Sequence, residues 1–311
     1  MSEPSFPAWL EPMAATLTAE RCGGPEWVFE RKLDGIRLLA FKRASEVRLL
    51  SRNRLPQNGR YPELVEAIGR LPVGDAILDG EATGVWGPAQ ALGYHVFDLL
   101  WLEGQDLTPL PLDARRARLE RLVLAPPLWL VARLADAAPW ERACREGWEG
   151  VIAKRRDAPY EPRRSRHWLK MKCEASQELV IGGFTEPRGQ RRGLGALLVG
   201  YFEGQDFVFA GKVGTGAGFD ARSLLELRVA LDAIEVPNAP FTRATGLPRA
   251  TGSRAAVHWV RPERVVQVAF LEWTAHGKLR HPRLLGTRPD KAASEVRREV
   301  EVEVELEREA P

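Results

Sequence analysis

The residues best suited to chemistry lie in Glu30-Arg31-Lys32-Leu33-Asp34-Gly35-Ile36-Arg37. Apolar residues lead into this run (Trp27, Val28, Phe29) and follow it (Ile36, Leu38, Leu39, Phe41), which places it in or between strands. Side chains alternate across an extended chain, so Glu30, Lys32 and Asp34 share one face and Leu33 takes the other. The plain reading is an exposed, ion-paired strand edge ending in an Asp-Gly turn. The chemical reading is a nucleophilic lysine. An ammonium is inert, so Lys32 must lose a proton, which burial and nearby cations favour and carboxylates oppose. That reading needs more positive charge close by, or a divalent metal on the carboxylates.

Other charged groups also sit on or beside apolar strands. Arg52, in Ser51-Arg52-Asn53, suits a bidentate phosphate contact or a solvated turn. Glu81, after Asp79-Gly80, could accept from ribose hydroxyls. Phe97, in Phe97-Asp98-Leu99-Leu100, is a base platform or a core aromatic. In Glu149-Gly150-Val151-Ile152-Ala153-Lys154, strict alternation separates Glu149 from Lys154 unless Gly150 bends the entry. Trp168, Lys170 and Lys172 alternate with Leu169, Met171 and Cys173; two lysines on one face repel unless an anion such as phosphate lies between them. There is no P-loop, no His-Glu-x-x-His and no Gly-x-Ser-x-Gly, and Gly214 to Gly218 lacks the Rossmann spacing.

The elements that must position these groups are mostly strands. They are expected through Lys32, at 36–42, 46–51, 76–83, 94–102, 151–154 and 168–173, then at 179–184, 196–201, 207–213 and 265–273. Helices are expected at 62–71, at 112–124 with its arginines facing water, at 139–146 and at 221–234. Short strands with one helix in the last hundred residues suit an OB-fold barrel. The expected class is α+β: a domain of antiparallel sheets with helices over 1–174, an OB-fold β-barrel over 175–292, and an acidic tail over 293–311. A hinge is expected at Cys173 to Gln177.

Length (311 residues), 44% hydrophobic and 28% charged residues describe a soluble globular chain of two domains. No apolar run could span a bilayer and no secretory signal is present, so the expectation is cytoplasmic, off the membrane, with Cys22, Cys144 and Cys173 as reduced thiols. The net charge of +3 averages basic clusters at 155–156, 163–172 and 188–192 against a glutamate-rich end. Such clusters grip phosphate or simply solvate a surface.

Lys-x-Asp-Gly-x-Arg, Ser-Arg-Asn, Asp-Gly-Glu, Phe-Asp, Glu-Gly-x-x-x-Lys and Trp-Leu-Lys-x-Lys, in that order, resemble the covalent nucleotidyltransferases: DNA ligases, RNA ligases and capping enzymes. Pro12-Met13-Ala14, Glu149 to Arg155, Glu178 to Phe184, Trp273-Thr274, Leu279 to Pro282 and Arg288-Pro289-Asp290-Lys291 narrow the likeness to the ligase module of bacterial end-joining ligases (ligase D) and stand-alone relatives. The resemblance implies an ATP-dependent DNA ligase. Lys32 attacks the α-phosphate of ATP, AMP passes to a DNA 5′-phosphate, and a 3′-hydroxyl seals the break. Lys170 and Lys172 would hold the α-phosphate and, with the metal, lower the Lys32 pKa. Asp34 and Glu149 would bind Mg²⁺ or Mn²⁺, and Glu81 and Phe97 would meet ribose and adenine. Arg37 and Arg52 would touch ribose or the 5′-phosphate, Lys154 the phosphates or adenosine, and Glu30 would orient Lys32 or the base. Arg288 and Lys291 would close over pyrophosphate. Implied partners are nicked or broken duplex DNA, with Ku and separate polymerase and phosphoesterase modules, for a monomeric enzyme. Arg54, Arg163 and Pro289 depart from the family pattern without removing a group the chemistry needs. The alternatives are an RNA ligase or capping-type guanylyltransferase, and a non-catalytic OB-fold nucleic-acid-binding module.

Overall fold

The computed structural model describes residues 5–84, 91–136, 138–187, 193–214, 221–247 and 256–300. The basic cluster at 188–192, the glycine-rich 215–218 and the tail from 301 lie outside them. The chain divides into two compact units, the first running to Cys173 and the second spanning Glu174–Glu299.

The first unit holds β1 (Ala14–Leu17), β2 (Trp27–Lys32), β3 (Ile36–Arg43), β4 (Glu46–Ser51), β5 (Asp75–Thr83), β6 (Gly93–Leu102), β7 (Gln105–Asp106), β8 (Leu128–Leu130), β9 (Arg133–Leu134), β10 (Gly150–Arg155) and β11 (Arg164–Lys172). Its helices are α1 (Pro62–Gly69), α2 (Leu112–Leu119) and α3 (Pro139–Arg145). One sheet runs β1-β11-β10-β2-β9 and the other β4-β3-β5-β6-β7, with β8 alongside β6. Most pairings are antiparallel; β1 on β11 and β8 on β6 are parallel. Strand β3 is buried on both faces, so it reads as an unbroken apolar run. Ile36, Leu38 and Ala40 join Leu64 and Ile68 of α1 in one core, while Leu39 and Phe41 join Met13, Tyr160 and Trp168 in another.

Two expectations change here. Helix α2 is shorter than 112–124, and two of its arginines do not face water: Arg115 and Arg116 are 0% and 2% exposed. They are drawn inward because buried carboxylates, Asp98 and Glu30, lie opposite them. The cysteines are not all reduced: Cys144 of α3 and Cys173 form a disulfide with 5.1 Å between their Cα atoms, and Cys22 is the free thiol. Packing of α3 on β10, the neighbour of β11, brings together two residues that sequence spacing leaves unrelated. The division between the units, at Cys173 and Glu174, falls inside the stretch where a hinge is expected, and Ser176 and Gln177 beyond it pair with Ala269 and Val268.

The second unit holds β12 (Ala175–Thr185), β13 (Ala196–Glu203), β14 (Asp206–Gly214), α4 (Ala221–Asp232), β15 (Glu235–Val236), β16 (Val257–Phe270), β17 (Glu272–Trp273), β18 (Leu279–Arg280) and β19 (Arg283–Thr287). The single strand expected at 265–273 is thus a longer β16 followed by a separate β17. Paired neighbours run β12-β13-β14-β19-β16, and β16 pairs again with β12. Leu179, Ile181, Val199, Phe207, Phe241 and Val266 form its core.

Candidate active site

The site is made by register. Antiparallel pairing sets Gly150 between Lys32 and Lys172, Ile152 between Glu30 and Lys170, and Lys154 between Val28 and Trp168. Residues directly opposite in adjacent strands share a face, and so do every second residue along each strand. Glu30, Lys32, Ile152, Lys154, Trp168, Lys170 and Lys172 therefore rise from one face of one sheet. Gly150 makes the row possible. Its φ is +154° and a Cβ there would meet the Met171 carbonyl oxygen at 2.1 Å, so only glycine lets β10 enter this close to β11. The bend turns Glu149 back to Lys32, whose Nζ lies 2.5 Å from Glu149 Oε2. Gly35 does the same for the turn beyond β2, where a Cβ would lie 2.1 Å from the Ala82 carbonyl oxygen of β5.

Above this face opens a pocket of about 200 Å³. Its walls include Glu30, Lys32, Arg37, Arg52, Glu81, Phe97, Lys154, Trp168 and Lys170, all from the first unit. Burial pushes the Lys32 ammonium down, but Glu149, with Glu81 and Asp34 behind it, outweighs burial and the net direction is up. The protein's own groups thus keep Lys32 charged. Lys154, 2% exposed, goes the other way: burial lowers it despite Glu30 at 2.7 Å. Its ammonium lies 4.4 Å from the Phe97 ring centroid and 4.3 Å from that of Trp168, where the ring faces offset part of the lost hydration.

The domain model described as "ATP dependent DNA ligase domain" matches residues 11–91 and 86–172, and "ATP dependent DNA ligase C terminal region" matches 190–291. The chain belongs to the ATP-dependent DNA ligase family. The chain is 38% identical over 315 residues to the multifunctional non-homologous end joining protein LigD of Pseudomonas aeruginosa, across 94% of its own length and 37% of that protein. It is 37% identical over 308 residues to the Mycobacterium tuberculosis LigD, across 93% of this chain and 40% of the other. It therefore spans about two fifths of the length of these curated relatives. The solved structure of mycobacterial DNA ligase D complexed with ATP and MES superposes with a TM-score of 0.68 at 35% identity, over 93% of this chain and 98% of that one.

Eight candidate site residues singled out from the sequence line the pocket: Glu30, Lys32, Arg37, Arg52, Glu81, Phe97, Lys154 and Lys170. Lys172, Asp34 and Glu149 do not line it, though Glu149 touches Lys32 and Lys172 faces Lys32 across the intervening β10. Arg37 reaches the wall with its guanidinium already engaged, donating to Asp79 at 2.9 and 2.6 Å and to the Met13 carbonyl at 2.7 Å. Arg288 and Lys291 belong to the second unit. There Arg288 donates to Asp290 at 2.9 and 2.8 Å, and Glu178 lies near both cations.

Sequence reasoning missed Tyr160, whose hydroxyl donates to Asp79 at 2.7 Å and accepts from the Met13 amide at 2.9 Å. It also missed Arg115 and Arg116. A signal for these two was present: with Leu112 and Leu119 they occupy the i, i+3, i+4 and i+7 positions of a buried helical stripe.

Proposed function

We propose that this chain is the catalytic ligase module that joins 3′-hydroxyl and 5′-phosphate ends of duplex DNA through a lysyl-AMP intermediate, in break repair by end joining. The observation that carries the reading is Lys32 in the pocket wall with Lys170, on the same sheet face as Lys172, and with Glu149 turned onto it. The Lys32 ammonium first gives one proton to solvent; the Nζ–Pα bond then forms as the bond from Pα to pyrophosphate breaks, and a second proton passes from Nζ to solvent to leave the neutral phosphoramide. Lys170 and Lys172 stabilise charge on the α-phosphate. Glu81 and Arg52 meet ribose and phosphate, Phe97 the base, and Lys154 and Glu30 the adenosine end. AMP next moves to a DNA 5′-phosphate, and the 3′-hydroxyl then displaces it. Arg288 and Lys291 serve pyrophosphate departure only if their ion pairs with Asp290 and Glu178 open.

ATP use follows from the family. A divalent cation is proposed on Asp34 and Glu149. Among the described residues no three acidic, His or Cys groups gather as a closed metal site. Two carboxylates completed by substrate phosphates are, however, a usual Mg²⁺ set, and Mn²⁺ accepts the same oxygens. The ion would neutralise phosphate charge and draw the carboxylates away from Lys32. No described helix is long and apolar enough to cross a membrane. A cytoplasmic, monomeric enzyme acting with Ku and separate polymerase and phosphoesterase modules is the accompanying reading. Failure of Ku to stimulate joining of linear DNA would remove that part.

The deciding experiment is intact mass after mixing with ATP and Mg²⁺, with peptide mapping. The expected result is one AMP on Lys32, lost on adding nicked duplex and absent in Lys32→Ala. An adduct elsewhere, or none, refutes the mechanism.

A further inference from the structure

We propose that Arg116 of α2 is a positioning residue that sets the geometry of the pocket's base-side wall and so tunes nucleotide affinity and base choice. Arg116 lines no part of the pocket, yet its guanidinium binds three residues that do. Nη1 donates to Glu30 Oε1 at 2.9 Å and to the Phe97 carbonyl at 3.2 Å, and Nη2 donates to the Val131 carbonyl. Those three come from β2, β6 and the segment after β8. The other oxygen of Glu30 holds Lys154 of β10, whose ammonium rests on the Phe97 and Trp168 rings. One planar fork thus joins pocket walls from both sheets of the first unit.

The chemistry of the fork is specific. A guanidinium offers five donors in fixed directions, whereas a lysine is a single point charge on a flexible stem. Arg116 and Glu30 are 2% and 3% exposed, so water does not substitute for a lost donor. Without the fork, Glu30 keeps only Lys154 as its cation, and the carbonyls of Phe97 and Val131 lose the donor that fixes their spacing. Arg118, two residues on, serves as the contrast. It donates to Ala114 of its own helix at 3.3 Å and reaches no pocket residue.

The inference rests on the lysyl-AMP reading, because the readout is formation of that adduct. Adduct formation is followed by mass at varied ATP and GTP in the full chain carrying Arg116→Lys, Arg116→Met or Arg118→Met. Rates are normalised to the final adduct yield, which corrects for misfolded protein. Arg116→Lys keeps the charge and loses the fork. It is expected to raise the ATP concentration for half-maximal rate about tenfold, with the rate at saturating ATP within about threefold of the parent. Preference for ATP over GTP should fall about fivefold or more, a change that general destabilisation does not produce. Arg116→Met should be at least as severe in both readouts, and Arg118→Met should match the parent. An unchanged half-maximal concentration in Arg116→Lys, or a loss confined to the saturated rate with base preference intact, overturns the inference. A parent chain that forms no Lys32 adduct removes the underlying reading and the inference with it. A parent that charges normally beside an indifferent Arg116→Lys overturns the inference alone.

Discussion

Asp98 and Arg115 are both 0% exposed and bonded at 2.8 and 2.9 Å through two parallel N–H···O contacts. Arg115 also donates to the carbonyls of Leu110 and Ala158. Such a pair adds little net stability over an apolar replacement, but breaking it strands a buried charge. Asp98→Ala is therefore expected to cost about 3–5 kcal/mol in urea unfolding, far more than a surface substitution. The Lys32–Glu149 pair, 19% and 17% exposed, serves a different end. It restrains the amine proposed as the nucleophile rather than fastening a core, and its partner is a carboxylate that a cation could recruit. At this scale the sequence showed which side chains carry charge into apolar strands. It did not show which charges pair, because Asp98 and Arg115 are 17 residues apart and Glu30 and Arg116 are 86 apart.

Strands carry most of the site. The alternation read from Trp168-Leu169-Lys170-Met171-Lys172 holds in β11, where Leu169 and Met171 are buried and the two lysines half-exposed. The doubt over Glu149 and Lys154 is resolved by backbone at Gly150, whose bend lets both approach the same face. Helix α2 shows the converse. Its arginines suggested a solvated face, yet its neighbours carry buried carboxylates, so tertiary context overrode the polarity of the side chains. Beside it, α3 is tied to the end of β11 by Cys144–Cys173. Denatured without reductant, the chain is expected to titrate one thiol, that of Cys22, and three after reduction. Burial pushes the Cys22 thiol up to about 11 in the folded chain, so it should react slowly until unfolding.

Over the whole molecule, every pocket-lining residue comes from the first unit. A ligand that binds only the folded form stabilises the unit that holds it, by about 2.7 kcal/mol at a hundred times its dissociation constant. Calorimetry with ATP is therefore expected to shift the transition of the first unit and leave that of the second in place. Equal shifts in both would mean that the two units unfold as one, or that ATP makes contacts the pocket does not account for. The alternating strands, apolar helix stripes and six ordered motifs were enough to read an α+β ligase-family chain with two folded parts.

What the sequence determined by itself was the kind of residue at each place and the period on which it repeats. Alternation and turn chemistry are local, so Lys32 between its carboxylates and the two-lysine face of β11 were readable one strand at a time, while a bend at Gly150 was a condition the sequence left open. Only the tertiary structure decided register and partners, because hydrogen-bonded neighbours in a sheet and buried ion pairs join residues that are distant along the chain. The Lys172–Gly150–Lys32 row, the inward turn of Arg115 and Arg116, and the cysteine pairing all arise from that long-range packing.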